Sequence, residues 1–93
     1  MIQSFRCAET QKLFETGDSV RWRVCLRQAV RKLQMLDQAT ELRDLAQLPG
    51  NRLEALKGDR EGTWSMRVND RWRLCFVWKT PHAYEVEIVD YHR

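Results

Sequence analysis

The stretch RWRLCFVW, at residues 71–78, alternates between two kinds of position. Its large apolar residues occupy every second site, at Trp72, Leu74, Phe76 and Trp78. A period of two predicts a β-strand with one buried face. The opposite face carries Arg71 and Arg73, whereas a solvated sheet face more often carries Thr, Lys and Glu. The role of these arginines depends on the strands beside them.

The preceding stretch, TWSMRV at residues 63–68, alternates in the same way and predicts a β-hairpin. A two-residue turn would mix the two faces, because apolar residues of one strand would oppose arginines of the other. A three-residue connection at 69–71 restores the apolar pairs, which are Val68–Trp72, Met66–Leu74 and Trp64–Phe76. It also sets Arg67 directly across from Arg73. Opposed like charges cost up to about 1 kcal/mol, which favours an anion such as phosphate between them.

A last strand is predicted over YEVEIVDYH at residues 84–92. Its expected core-facing residues are Tyr84, Val86 and Ile88. The predicted register pairs Trp78 with Tyr84 and sets Arg73 across from Val89. Arg71 then lies across from Tyr91, and Tyr91 becomes a diagonal neighbour of Arg73, within reach of a long side chain.

The first half of the chain has helical patterns. Residues 2–6 predict a short strand, and AETQKLFETG predicts a helix that ends at Gly17. A longer helix is predicted from Asp18 to Asp37, capped by Asp18 or Ser19. Its apolar stripe recurs at helical spacing through Trp22, Leu26, Ala29, Leu33 and Leu36.

A further helical turn or two is predicted over TELRDLAQLPG. Its leucines at 42, 45 and 48 are expected on one side, and Pro49-Gly50 ends it. Helices therefore come first and strands follow. This order predicts an α+β domain whose N-terminal helices pack on one face of a twisted antiparallel β-sheet, with residues 1–93 in one domain.

The polar side of the long predicted helix carries three arginines spaced by four residues, at Arg23, Arg27 and Arg31. Such a stripe is most often a solvated helix face. The alternative is a surface that faces phosphate or acidic groups, and the sequence leaves both open.

Charge and cysteine content narrow the class of protein. The net charge of +3 and the isoelectric point near 9.0 favour an anionic partner without requiring one. Three cysteines without a C-x-x-C spacing argue against a disulfide framework and against a zinc site. Carboxylates suited to magnesium are not grouped in the sequence, and neither a signal peptide nor a transmembrane run is evident. We therefore expect a cytoplasmic protein that needs no metal or cofactor and does not bind a membrane.

The predicted sheet collects groups that suit RNA cleavage. Arg67, Arg73 and Tyr91 share one face, with Asp90 and His92 at its rim. The loop LKGDREG, which carries Lys57 and Arg60, could fold over that face. Metal-free cleavage of RNA requires a base for the ribose 2′-OH, an acid for the leaving oxygen and cations for the phosphorane. A basic face can also serve binding alone.

The combination of RLEALKGDREGTWSMRVNDRWRLCF with a terminal VEIVDYH resembles HigB-type toxins of the RelE/ParE superfamily. This resemblance covers nearly the whole chain. It implies a RelE-like fold and a toxin of a type II toxin-antitoxin module that enters the ribosomal A site and cuts translated mRNA without a metal. It also implies a HigA-like helix-turn-helix antitoxin, which neutralises the toxin and carries the complex to operator DNA.

The resemblance also assigns roles to residues. Lys57 is expected to contact phosphate or aid proton transfer, and Arg73 to stabilise the transition state. The terminal Asp90, Tyr91 and His92 form the acid–base and base-stacking group. Arg67 or Arg71 supplies a further arginine, and the predicted register favours Arg67 as catalytic. The remaining residues expected to bind RNA are Arg60, Arg71, Arg23, Arg27 and Arg31.

One position departs from the resemblance, since some relatives carry histidine where this chain has Glu54. Two other functions also remain open. One is a ParE-like toxin that binds gyrase and does not cut RNA. The other is a degenerate member that only binds nucleic acid or an antitoxin.

Overall fold

A sheet preceded by helices makes up residues 1–58 and 62–90, which are the residues described by the computed structural model. The helices are α1 (Ala8–Thr16), α2 (Leu26–Gln38) and α3 (Leu42–Ala46). The strands are β1 (Glu54–Ala55), β2 (Thr63–Arg67), β3 (Trp72–Lys79) and β4 (His82–Asp90). The strands are antiparallel in the order β1-β2-β3-β4. The predicted α+β class is therefore confirmed.

The hydrophobic core lies between the helices and one face of the sheet. The helical part contributes the fully buried side chains Leu13, Trp22, Ala29, Leu33, Leu36 and Leu45. The sheet contributes Met66, Leu74, Phe76, Ala83, Val86 and Ile88. The predicted helical stripe is thus confirmed, although Leu26 is only half-buried. Trp22 meets Trp72 edge to face with the ring centroids 5.8 Å apart.

The predicted start of the long helix is wrong. Helix α2 begins at Leu26 and is preceded by a 3₁₀ turn at Arg23–Cys25, so that neither Asp18 nor Ser19 caps it. Packing of Trp22 in the core decides this difference. Its indole lies under the guanidinium of Arg21, which also lies 5.5 Å from the ring of Trp72. The turn before the helix, in which the amide of Cys25 donates to the carbonyl of Trp22 at 3.0 Å, accompanies that arrangement.

The two shorter helices follow the sequence more closely. Helix α1 ends as predicted at Gly17, whose φ of 76° is the left-handed conformation that glycine adopts without strain. Helix α3 ends at Ala46, before the turn at Pro49–Asn51. Leu45 lies within α3 and is buried, whereas Leu48 lies beyond the end of the helix and is 45 % exposed. The two leucines therefore do not lie on one side, contrary to the prediction from the sequence.

The carboxylate of Asp44 holds the start of α3. Its Oδ2 accepts the backbone N–H groups of Thr40 and Glu41, both at 3.1 Å. The hydrogen bond from Glu41, followed by that from Thr40, lowers the pKa of Asp44. A carboxylate with a lowered folded-state pKa stabilises the fold above its unfolded pKa. That stabilisation is lost as the pH falls through the folded pKa.

We expect Asp44→Asn to lower the melting temperature by a few degrees at pH 7. The difference from the wild type should shrink in acid as the wild-type carboxylate becomes protonated. Thermal unfolding followed by circular dichroism across this pH range measures both effects. Asp18→Asn is the matched control, because Asp18 is exposed and its one ion pair among the described residues, with Arg23, is long at 4.0 Å. An equal response of the two variants would contradict this role of Asp44.

The β2–β3 hairpin has the predicted register. Its pairs include Trp64 with Phe76, Met66 with Leu74, and Arg67 with Arg73. The connection closes through the backbone of Val68, which donates to the carbonyl of Trp72 at 2.9 Å. The hydrophobic pattern alone therefore identifies the pairing, because a slip of one residue would reverse every side chain.

The β3–β4 pairing agrees with the prediction at one end only. Arg73 lies across from Val89 as predicted, but Trp78 pairs with Ala83 and not with Tyr84. The register shifts between Cys75 and Val77, and Glu85 in the facing strand has a positive φ of 51°. Such a bulge moves later side chains to the other face. Ala83 is therefore buried, while Tyr84 is only half-buried.

The predicted first strand is reduced to isolated bridges beside β4. Ile2 pairs with Ala83 and Phe5 with Val86, both in parallel orientation. The segment between these bridges still satisfies part of the outer backbone of β4. The amide of Val86, for example, donates to the carbonyl of Ser4 at 3.1 Å.

Candidate active-site pocket

A pocket of about 350 Å³ opens beside the face of the sheet opposite the core. It is lined by Leu56, Lys57, Ser65, Arg73, Cys75, Val89 and Asp90. Three of the predicted catalytic residues, Lys57, Arg73 and Asp90, therefore lie around one cavity. They come from the segment after β1, from the middle of the sheet and from the end of β4.

Arg73 forms the inner wall of this pocket. The residue is only 6 % exposed, and its guanidinium is held by protein acceptors. Nε donates to Ser65 Oγ at 2.9 Å, and Nη2 donates to the carbonyl of Arg52 at 2.6 Å. A guanidinium held in this way is oriented before any ligand arrives, which favours stabilisation of a charge that develops during a reaction. The sequence pattern did not single out Ser65 or Arg52.

Lys57 lies at the outer edge of the same pocket. The backbone N–H of Leu56 donates to the carbonyl of Thr63 at 2.8 Å, which continues the β1–β2 pairing and positions the next residue. Lys57 is exposed and also lines a neighbouring pocket of about 410 Å³ with Gly58 and Trp64. Its ammonium is therefore accessible to a ligand at the entrance of the pocket.

Asp90 and Arg71 form the opposite rim. Asp90 Oδ2 accepts a hydrogen bond from Nε of Arg71 at 3.1 Å and forms an ion pair with Nη2 of Arg71, also at 3.1 Å. The guanidinium of Arg71 also lies 4.9 Å from the ring centroid of Trp72. Asp90 pairs with the core residue Trp72, so its position in the strand corresponds to the core face. It nevertheless lines the pocket on the other side of the sheet. Its carboxylate therefore lies at the edge of the sheet, where β4 ends.

Arg67 does not line this pocket, although its backbone lies across from Arg73. Its Nη2 pairs with Oδ1 of Asp70 at 2.5 Å. Its side chain lines a second pocket with Arg31 and Lys32. Each of the two opposed arginines thus has an acceptor within the protein. The sequence pattern suggested that an external anion lies between these arginines. The structure shows that their opposition by itself does not require one.

The other predicted RNA-binding residues are dispersed. Arg23 and Arg27 are exposed beside Val24 on a shallow groove along α2, and Arg31 lies between that groove and the second pocket. Arg60, Tyr91 and His92 lie outside the described residues. Glu54, where some relatives carry histidine, is exposed on β1 across from Ser65.

The described part of the chain contains neither a candidate metal site nor a membrane-spanning helix. Within residues 1–58 and 62–90, His, Cys, Asp and Glu side chains do not form a group of three or more that could hold a metal ion. Helices long and apolar enough to cross a membrane are likewise not found there.

Solved structures share this arrangement of helices and sheet. One is a YoeB dimer from Staphylococcus aureus, with a TM-score of 0.57, 22 % identity and coverage of 99 % of this chain and 95 % of that chain. A YoeB/ParE toxin from Agrobacterium tumefaciens has a TM-score of 0.52 and 18 % identity, with 98 % and 99 % coverage. The chain therefore has the fold of these toxins.

Sequence comparison identifies the family. The sequence-family model for HigB-like toxins, described as the RelE-like toxin of the type II toxin-antitoxin system HigB, matches residues 3–92. Endoribonuclease HigB of Proteus vulgaris is 39 % identical over 99 % of this chain and 100 % of its own length. Toxin HigB-1 of Vibrio cholerae serotype O1 is 50 % identical over 52 % of this chain and 50 % of its own length. This chain belongs to the HigB-like toxins of type II toxin-antitoxin systems, as its motifs indicated.

Proposed function

We propose that this toxin is a ribosome-dependent endoribonuclease that cuts mRNA during translation and so arrests growth. The observation that carries the proposal is the convergence of Lys57, Arg73 and Asp90 on one pocket. The name of the full-length relative from Proteus vulgaris, an endoribonuclease, supports the same activity.

The proposed reaction is an attack of a ribose 2′-OH on the adjacent phosphorus. A new O–P bond forms as a base takes the proton of the 2′-OH. The bond to the 5′-oxygen of the next nucleotide breaks as an acid gives that oxygen a proton, which leaves a cyclic phosphate and a free 5′-hydroxyl. Arg73 stabilises the negative charge of the phosphorane, because its donors are already oriented. Lys57 binds the phosphate or donates a proton at the pocket entrance. The reaction as proposed uses groups of the protein and no metal.

The end of the chain completes the proposed site. Asp90 stands at the rim of the pocket and is ion-paired with Arg71, which can itself contact the RNA. Tyr91 and His92 follow directly in the sequence and are proposed as the base-stacking and acid–base groups. A histidine is suited to this role because its proton exchanges near neutral pH.

The proposal also specifies partners. Membership of a type II toxin-antitoxin family implies an antitoxin. We propose that it is a HigA-like helix-turn-helix protein, through which alone the toxin reaches operator DNA. The ribosomal A site would present the mRNA, which sets the cytoplasm as the place of action. Further contacts to RNA are proposed for Arg23 in the 3₁₀ turn before α2, for Arg27 on α2 and for Arg60, three residues after Lys57 in the sequence.

Induced expression followed by mapping of transcript 5′ ends tests this function. We expect new 5′-hydroxyl ends in phase with the reading frame, only within translated regions and only when ribosomes are translating. Co-expression of the adjacent antitoxin should abolish both the cuts and the growth arrest.

Other outcomes would identify another function. A DNA-damage response without RNA cuts would indicate a toxin that binds gyrase. Neither cuts nor DNA damage would indicate a module that only binds. Cuts in untranslated RNA would contradict the dependence on the ribosome.

A further inference from the structure

A second cationic pocket lies between α2 and the start of the β2–β3 connection, apart from the pocket of Lys57 and Arg73. Its cavity volume is about 350 Å³. Its lining includes Arg31, Lys32 and Met35 from α2, Asn51 from the 3₁₀ turn, and Arg67 and Val68 from the hairpin. Only Arg31 and Arg67 of this set carry a role from the sequence pattern.

The pocket is built around a buried amide. Asn51 is fully buried, and its Nδ2 donates to the carbonyl of Leu45 at 3.0 Å. Its Oδ1 accepts a hydrogen bond from the ammonium of Lys32. This bond holds a half-buried lysine in one position and uses one of its three donors. The remaining donors stay available to a ligand.

The positive charge in this pocket is only partly compensated. Among the described residues, no carboxylate lies within ion-pair distance of Arg31 or Lys32, and Arg67 pairs with Asp70, which is 99 % exposed. Burial, followed by the charges of Arg31 and Arg67, lowers the pKa of Lys32. Three cationic side chains thus meet around one cavity, and an anion there would reduce their mutual repulsion.

The two pockets share one segment of chain. Asn51 holds Lys32 on one side, and the carbonyl of the next residue, Arg52, accepts the guanidinium of Arg73 on the other. Arg67 and Arg73 are themselves directly opposed in the hairpin. A ligand suited to both pockets would carry regularly spaced negative charges, as a single strand of nucleic acid does.

We propose that Arg31, Lys32 and Arg67 form a phosphate-binding site that takes a backbone phosphate of the same RNA strand, next to the phosphate that is cut. The identity of the ligand as RNA rests on the proposed function. Binding of a phosphate group follows from the pocket alone. The site would hold the strand in register and would take no part in bond cleavage.

Arg31→Gln tests the site with little risk to the fold, because Arg31 is exposed. Binding is measured by fluorescence anisotropy with a short 2′-O-methyl RNA, which cannot be cleaved, over a range of salt concentrations. We expect affinity to fall by about three- to tenfold. The slope of log K against log salt should lose about 0.7, the value for one contact to a single strand. Arg31→Lys should restore most of the affinity.

Arg43→Gln is the matched control. Arg43 is an exposed arginine on α3, paired with Glu41 at 2.9 Å, and it lines neither pocket. An equal loss of affinity in both variants would reduce the effect to net charge and would overturn the proposal. Weaker binding of the antitoxin by Arg31→Gln, with RNA binding unchanged, would assign the surface to a protein partner and would also overturn it.

Inorganic phosphate distinguishes this inference from the proposed function. We expect it to shift the NMR signals of the Asn51 side-chain amide in the wild type and not in Arg31→Gln. If the wild type cuts mRNA but Arg31→Gln binds RNA and phosphate unchanged, only the second site is refuted. If the wild type cuts nothing but the phosphate shifts occur, the site stands as an anion site and the proposed function fails.

Discussion

Arg73→Lys should reduce the rate of mRNA cleavage by about 100-fold or more, the loss found when one preorganised donor is removed from a developing oxyanion. Lysine keeps the charge but cannot donate from a planar fork to Ser65 and to the carbonyl of Arg52 while facing a phosphate. Cleavage of a translated message on purified ribosomes, under single-turnover conditions, measures the effect. A rate within about threefold of the wild type would refute the assignment of Arg73.

Lysine is preferred here over alanine because Arg73 is also part of the structure. Its side chain is nearly buried, and truncation would leave the acceptors of Ser65 and Arg52 without their donor. Arg73→Ala is therefore expected to cost about 2–4 kcal/mol of the free energy of unfolding, which would confuse loss of fold with loss of chemistry. Arg43→Lys, at an exposed arginine on α3, is the matched control and should leave both cleavage and melting temperature unchanged.

Lys57→Met should reduce cleavage by about 100-fold, within the range for loss of an acid–base group or a phosphate contact at a reacting centre. Stability should not change, because Lys57 is exposed and lies outside the core. Lys12→Met, at an exposed lysine on α1, controls for the loss of one positive charge. Cleavage by Lys57→Met at the wild-type rate would contradict a role at the pocket entrance.

A second substitution separates the two roles proposed for Lys57. The variant Lys57→Arg keeps a positive charge for phosphate, but a guanidinium gives up a proton far less readily than an ammonium. Recovery of cleavage in Lys57→Arg would identify a phosphate contact. Continued loss, with the pH dependence of the residual rate altered, would identify proton transfer.

The sheet shows how far a hydrophobic pattern can predict structure. The β2–β3 register followed from the alternation alone, because any other register exposes the core residues. The β3–β4 register held at Val89 but failed beyond the irregularity at Cys75 and Val77. A bulge inserts one residue into a strand without a distinctive residue type, so the alternation still looked regular from Tyr84 onward.

The candidate site was predicted only in part for a related reason. Lys57, Arg73 and Asp90 were expected together and line one pocket. Arg67 was expected with them but pairs with Asp70 and lies beside Lys32. A strand position decides the face from which a side chain leaves. The acceptors that other segments supply then decide where the end of a long side chain lies.

The amino-acid sequence by itself determined that helices precede the three longer strands, how the hairpin pairs and the family to which the chain belongs. All three depend on periodicity, turn residues and local motifs, which act between residues close together in the sequence. Only the tertiary structure decided that Arg73 is buried and that Arg67 lies in a second pocket with Lys32. These placements depend on acceptors in the turn around Asn51 and Arg52, which packing brings to the sheet and no local pattern predicts.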